Sequence, residues 1–307
     1  MAPAGASVTA LGAALMRSVH TRVSPSPLID DPWGDRLVLE AERAIVLNVV
    51  LNGLSPQVKE RCQKLGTPEA ILDAALQAHP GYGWAVLRTR YAEDALAVAV
   101  TRGVGQYVIV GAGFDSFALR QPAFARDVDV FEIDHPATQA LKRERLREYG
   151  VPVPPRLHFV PADLSQEQIG NALARSTFRF KSRVFFSWLG VTQYLSREAN
   201  FATLRGIADC AESESQLVFT YLEEQALGTG TKSVGTLQEA FAGAREPWVS
   251  GFDSSRLSDE LSEVGLRLTE DLDGLTIKRR YCRCPGNDFE LLESSHIALA
   301  EVSPQSA

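Results

Sequence analysis

Residues 106–116 read Gln-Tyr-Val-Ile-Val-Gly-Ala-Gly-Phe-Asp-Ser, and a second apolar run at 128–133 closes on Asp134. The first run predicts a buried strand that breaks into a glycine turn, and the second predicts a neighbouring strand with an acid at its end. Gly111 and Gly113 let the backbone approach a ligand, while a carboxylate beyond the next strand accepts hydrogen bonds from ribose hydroxyls. The pattern therefore points to a nucleoside site on an α/β sheet.

The rest of the chain supplies such a sheet. Apolar positions recur at helical spacing in 9–17, 37–53, 68–77 and 84–100, separated by breaks at 24–32, 53–56 and 78–83, so residues 1–104 read as a helical N-terminal cap. From 106 onward strands and helices alternate. Strands are expected at 106–111, 128–133, 156–160, 183–188 and 215–222, with helices after Asp115 and at 136–148, 165–176 and 196–211. Such alternation predicts a mainly parallel, doubly wound sheet. Ligands sit at the carboxyl ends of its strands, so Gly111, Asp134, Ala162, Asp163, Ser187 and Tyr221 should converge on one crevice. Residues 223–250 are too long for a simple connection and read as a lid over it. A helix at 253–264 and strand-like runs at 265–270, 276–282 and 295–302 complete a core over 105–307, forming one compact unit with the cap.

Composition narrows the partners. The net charge of −7 among 307 residues and a pI near 5.4 argue against nucleic acid, which needs a concentrated positive field. No apolar run approaches the ~20 residues of a membrane span, and the N-terminus lacks a signal-peptide layout, so a cytoplasmic protein is expected. Cys62, Cys210, Cys282 and Cys284 have neither disulfide-framework nor zinc spacing and read as free thiols. No metal is expected.

A glycine turn alone does not choose between NAD, FAD and S-adenosylmethionine. Here Ser116 replaces the third glycine of the dinucleotide fingerprint, and Asp115 enters the turn where a pyrophosphate would approach. An acid there disfavours a second anion, whereas S-adenosylmethionine carries a sulfonium and an ammonium and no phosphate. Asp163, following the strand at 156–160, suits an adenine amino group and equally suits a helix N-cap.

These residues carry a family resemblance. Gly111-Ala-Gly-Phe-Asp115, then Phe131-Glu-Ile-Asp134-His-Pro136 with Lys142, then Asp163-Leu164, resemble the leucine carboxyl methyltransferase family and its bacterial small-molecule branch. Ala14-Leu-Met-Arg17, Asp30-Asp-Pro-Trp33, Arg88-Thr-Arg90-Tyr91, Trp188-Leu-Gly-Val-Thr-Gln-Tyr194-Leu195 and Glu246-Pro-Trp248 extend the likeness over nearly the whole chain. The resemblance implies a class I methyltransferase fold, a Rossmann-like seven-stranded sheet with an N-terminal helical cap, and S-adenosylmethionine as cofactor. Carried over, Gly111, Ala112, Gly113 and Asp115 would line the methionine and ribose part, and Asp134 with His135 the ribose. Ala162, Asp163 and Leu164 would meet the adenine, with Ser187 at the same crevice. Either Arg88 or Arg90 would pair the cofactor carboxylate, for which a bidentate guanidinium is suited.

One departure concerns the acceptor. Family members commonly carry an acid five residues before the tyrosine of the fourth-strand motif, and here that position is Leu189. An apolar acceptor pocket is therefore expected, lined by Trp188, Leu189, Tyr194, Tyr221 and Trp248. The sulfonium methyl is already activated, so the enzyme mainly aligns the nucleophile, an effect on the order of 7 to 11 kcal/mol. A carboxylate acceptor needs no base, while a phenol or an indole carbon would profit from one. Tyr194, His20, His135 and Glu223 are the candidates, with Arg17 and Arg22 as alternatives that would orient an anionic acceptor. The expected activity is methylation of a small-molecule acceptor of secondary metabolism, at a carboxyl or hydroxyl oxygen. Carbon or nitrogen methylation of an aromatic or indole-type metabolite, an NAD-dependent oxidoreductase and a non-catalytic cofactor-binding protein stand as alternatives. Neither nucleic acid nor membrane is an expected partner, and a homodimer is left open.

Overall fold

The protein is described from a computed structural model covering residues 7–228, 248–283 and 287–304. Helices come first: α1 (Val8–Val23), α2 (Gly34–Leu37), α3 (Glu40–Gly53), α4 (Pro56–Gln63), α5 (Pro68–Gln77) and α6 (Tyr82–Thr101). Their starts follow capping chemistry. Ser7, Ser55 and Thr67 accept the N–H of Ala10, Val58 and Ala70, and Pro56 and Pro68 occupy first helical positions, where a missing N–H costs nothing.

Seven strands follow, β1 (Gln106–Val110), β2 (Asp129–Asp134), β3 (Leu157–Pro161), β4 (Val184–Trp188), β5 (Gln216–Leu222), β6 (Leu266–Asp273) and β7 (Ser295–Val302). They form one sheet in the order β3-β2-β1-β4-β5-β7-β6. β1 to β5 pair in parallel, and β7 inserts antiparallel between β5 and β6. The strand order reverses at β1, whose neighbours are β2 and β4, so a crevice opens at their carboxyl ends.

Side-chain alternation builds a core on each face. Tyr107, Ile109 and Phe185 point to the layer shared with α1, α3, α5 and α6. Val108, Val110, Phe186 and Trp188 point to the opposite layer with Ile169, Leu204, Ile207 and Leu261. On the flanks lie α7 (Phe117–Arg120), α8 (Pro136–Glu148), α9 (Ile169–Leu173), α10 (Arg197–Cys210), α11 (Glu224–Gly228) and α12 (Leu257–Ser262).

The strand expected at 276–282 is instead helix α13 (Gly274–Tyr281). The Asp273 side chain accepts the Thr276 N–H at 2.6 Å and caps it, and three basic residues, Lys278 to Arg280, sit favourably in its last turn. Cap and dipole outweigh the β-branched and aromatic residues that suggested a strand. Cys62, Cys210 and Cys282 are free thiols. The lid expected at 223–250 falls largely on 229–247, and Cys284 also falls outside the described residues.

Candidate functional site

The glycine turn leaves β1 with Gly111 at φ +68° and Gly113 at φ +51°. Both are left-handed conformations that favour glycine. At Gly111 space is also decisive, because a Cβ would lie 2.4 Å from Val191 Cγ2. The turn is tied to β2 through Gly111 N and Ala112 N, both donating to Ile133 O.

Two buried cations hold its next two carbonyls. Arg17 Nη2 donates to Phe114 O at 2.9 Å, and Lys142 Nζ donates to Asp115 O at 2.5 Å. Each has a buried counterion, Asp31 at 2.7 Å from Arg17 and Glu132 at 2.6 Å from Lys142. Burial opposes the Asp31 charge, but Arg17 and Arg120 outweigh it and hold its pKa below the ordinary carboxylate value. For Glu132 burial prevails over Lys142, raising its pKa to about 7. The cap helix α1 and the core helix α8 thus fix the turn together.

Asp134 faces the turn from the end of β2. Its carboxylate accepts the N–H groups of Gly113 and His135, and burial raises its pKa against those bonds. A carboxylate has about four acceptor sites, so capacity remains for ribose hydroxyls.

Around this turn lies a cleft of about 520 Å³ whose walls include Thr9, Ala13, Arg17, Arg88, Gly111 to Asp115, Asp134, His135, Leu189, Gly190 and Tyr194. Arg88 is its notable cation. Burial lowers its pKa to about 10, so it stays charged at neutral pH. Among the described residues it has neither a hydrogen bond nor a salt bridge. Arg90 differs: it pairs with Asp94 at 2.9 Å, donates to Leu28 O and does not line the cleft. The glycine cradle, an acid able to take ribose hydroxyls and an unpaired guanidinium together fit S-adenosylmethionine.

A second, narrower cavity of about 90 Å³ adjoins the first. Its walls are mainly apolar, with Val8, Met16, Val46, Val50 and Trp84 among them, and His79, Gln193 and Trp248 line it as well. Thr9, Ala13, Arg88, Gly190 and Tyr194 line both cavities and so frame the passage between them. Gly190 sits there at φ +72°, a left-handed conformation that favours glycine, with the Arg88 guanidinium against its Cα.

The other expected residues divide. Tyr194, Tyr221 and Trp248 line the narrow cavity and Leu189 the cleft. The Tyr221 hydroxyl is engaged by Asp271 at 2.6 Å. Trp188 is fully buried in the opposite core layer and lines neither cavity. Ser187 is also buried and shares a 2.7 Å hydrogen bond with Tyr107. Ala162 N bonds Asp134 O at 2.8 Å, but neither Ala162, Asp163 nor Leu164 lines the cleft. Asp163 Oδ1 accepts from the backbone and hydroxyl of Ser165, as a local cap would. Arg22 pairs with Asp35 and Asp73 away from both cavities. Glu223 accepts from Ser254 N and lies 3.6 Å from His296, also away from both. His20 packs between Tyr82 and Phe289 with Nε2 accepting from Leu28 N, and burial lowers its pKa to about 4.

Sequence reasoning missed Thr9 and His79. His79 lay in what reads as a mere break, although a histidine before Pro80-Gly81 at a helix start is a usable signal. Its Nδ1 accepts the Gly81 N–H at 3.0 Å, and burial lowers its pKa to about 4.

Comparison with known proteins bears on the family and the fold. Residues 10–208 match the family model described as leucine carboxyl methyltransferase. The Bacillus subtilis (strain 168) protein YktD, which carries the name of an S-adenosyl-L-methionine-dependent methyltransferase, is 33% identical over 272 residues, covering 87% of this chain and 88% of its own. A Mycobacterium tuberculosis (strain H37Rv) protein of like name is 29% identical over 252 residues, covering 80% of this chain and 73% of its own. Among solved structures, a Thermobifida fusca protein described as a methyltransferase superposes with a TM-score of 0.56 at 15% identity, over 95% of this chain and 94% of its own. A DUF574 family protein from Streptomyces avermitilis gives 0.53 at 15% identity, over 88% and 99%. At those identities the structural likeness speaks to the fold alone.

Proposed function

The chain belongs to the leucine carboxyl methyltransferase family and is an S-adenosylmethionine-dependent methyltransferase, and from that premise we propose that it methylates an oxygen, carboxyl or hydroxyl, of a small secondary metabolite. The narrow cavity supports the small-molecule part of this reading. It is apolar, adjoins the cofactor cleft and has about 90 Å³, several times the ~10–15 Å³ that admits one water. A compact apolar group fits there, with its nucleophile at the passage framed by Thr9, Ala13, Arg88, Gly190 and Tyr194.

The bound donor supplies an electrophilic sulfonium methyl. In our reading Arg88 pairs the donor's carboxylate, Asp134 takes its ribose hydroxyls, and the backbone of Gly111 to Gly113 supports the chain between. The acceptor cavity excludes water and orients the nucleophile, which is where the rate enhancement of such a site arises. A carboxylate is ionised at neutral pH and requires no proton removal. For a hydroxyl, Tyr194 is the one of the four proposed bases that lines the passage, while His135 lines the cleft alone. In our reading the helices α1 to α6 act as a cap over the sheet and its flanking helices, and the protein works in the cytoplasm. No described helix is long and apolar enough to cross a membrane.

The test uses donor labelled in the methyl carbon, the protein and the low-mass fraction of a bacterial extract, with mass spectrometry of the labelled product. A methyl ester or methyl ether is expected. Label on nitrogen or carbon would overturn the oxygen assignment, and label confined to polypeptide would overturn the small-molecule acceptor.

A further inference from the structure

Two neighbouring residues outside the sheet divide between the two cavities. Val249 lines the cofactor cleft and Trp248 the acceptor cavity. Val249 is 56% exposed, so hydrogen bonds rather than burial hold this strip in place. Val249 N donates to Gln193 O at 2.8 Å. Ser250 Oγ donates to Leu195 O at 2.7 Å and accepts from Asn200 Nδ2 at 2.9 Å.

Asn200, in the first turn of α10, is buried and lines neither cavity. Its Nδ2 also donates to Thr192 O at 2.9 Å, so both amide protons are used. Among the described residues its Oδ1 is buried with no partner, a cost that an apolar side chain of like shape would not carry. Stability therefore does not account for an asparagine here. What the amide adds is a fixed spacing between two pieces of chain. One is the strip at 248–250, and the other is the loop 190–195, whose Gly190 and Tyr194 line both cavities. That loop is anchored to β5 in turn: Thr192 Oγ1 donates to Thr220 O, and Thr220 Oγ1 accepts the Gly190 N–H, each at 2.7 Å.

We infer that Asn200 is a positioning residue for methyl transfer, setting Trp248 and Val249 against the loop 190–195 through Ser250 and so keeping the acceptor cavity in line with the cofactor cleft. The inference rests on the acceptor cavity assigned above. Alignment is where such a site gains its rate, and a displacement of about 1 Å can cost about a hundredfold.

Asn200→Ala, Ser250→Ala and the double variant test it, each kept well below its melting temperature. Amide exchange is followed by mass spectrometry, and methyl transfer from saturating labelled donor is measured on the low-mass extract. In each single variant the amides of 248–252 should exchange about tenfold or more faster, as for the loss of one hydrogen bond, while those of β4 keep the wild-type rate. Transfer should slow by about tenfold or more. The double variant should lose no more than the more impaired single one, because the two side chains act through one bond. S-adenosylhomocysteine affinity should fall far less than transfer, since Arg88, Asp134 and the glycine turn are untouched. Wild-type exchange at 248–252 in Ser250→Ala would overturn the inference, and that variant decides even where Asn200→Ala does not fold. Additive losses in the double variant, or equal losses of affinity and transfer, would assign Asn200 to the packing of α10 and overturn it as well. A wild-type protein that labels no low-mass compound would instead strike the small-molecule reading, and the exchange pattern would still decide this one.

Discussion

Arg17 reaches Asp31 through Nε at 2.7 Å and holds the Phe114 carbonyl through Nη2 at 2.9 Å, with Asp31 fully buried. One guanidinium thus joins the cap, the loop after α1 and the turn beneath the cofactor cleft. Asp31→Ala leaves that charge buried without its counterion, at a cost of about 3–5 kcal/mol. Urea unfolding should show the loss, and S-adenosylhomocysteine affinity should fall with it because the turn loses its upper anchor. Asp31→Asn keeps one acceptor oxygen, enough for either Arg17 Nε or Trp33 N but not both, and should lose less of both than Asp31→Ala. Wild-type stability in Asp31→Ala would refute the arrangement.

Arg88 and Arg90 are two residues apart on α6 yet face different surroundings. Arg88→Ala should weaken S-adenosylhomocysteine by about tenfold to a hundredfold, as expected for removing a charge-assisted bond of ~1.5–3 kcal/mol. Arg90→Ala loses an exposed pair with Asp94, worth ~0–1 kcal/mol of stability, and should bind the ligand as the wild type does. Calorimetry on the two variants decides between them, and a reversed order would move the carboxylate to Arg90.

His20 tests a structural role by its pH dependence. Its folded pKa is about 4 because burial disfavours the charged ring, against an ordinary value near ~6.5. The unfolded chain therefore binds more protons than the folded one between those values. Stability should rise with pH from about 4 to about 6.5, present in full above the higher value and lost as pH falls toward the lower, by up to about 3 kcal/mol. In His20→Phe this part of the pH dependence should vanish from urea-unfolding curves, while S-adenosylhomocysteine binding at neutral pH persists. An unchanged profile would place the shift elsewhere.

The difference between His20 and Thr9 shows where sequence reading reaches its limit. The strand and turn at 106–116 were legible because side-chain period and glycine positions are local signals, and the β1 and β2 sequences each satisfy them. The mainly parallel sheet follows from the same alternation, whereas the strand order and the antiparallel β7 do not. Within the cap every helix has two flanks, and spacing alone does not tell which flank meets the core: His20 and Arg90 turn away from the site while Thr9 and Arg88 turn into it. Trp188 and Leu189 divide in the same way, because one step along a strand end exchanges faces of the sheet. The Asp273 cap was available in the sequence and converts 276–282 to helix once Gly274 and the basic last turn are weighed with it.

Gly12 separates acceptor from cofactor. It lines the narrow cavity and not the cleft, and a Cβ there would meet only Val46 Cγ1, at 3.9 Å, an ordinary contact. Gly12→Ala should therefore be tolerated and should stabilise α1 by about 0.5–1 kcal/mol, since glycine is the poorer helix former. Gly12→Leu extends a branched side chain into a space of about 90 Å³ and competes with the acceptor for it. S-adenosylhomocysteine affinity should stay at the wild-type level in both variants, because no wall of the cleft changes. Methyl transfer from labelled donor should survive in Gly12→Ala and be largely lost in Gly12→Leu. Undiminished transfer in Gly12→Leu would mean that the nucleophile reaches the methyl by another route, and the narrow cavity would lose its assignment.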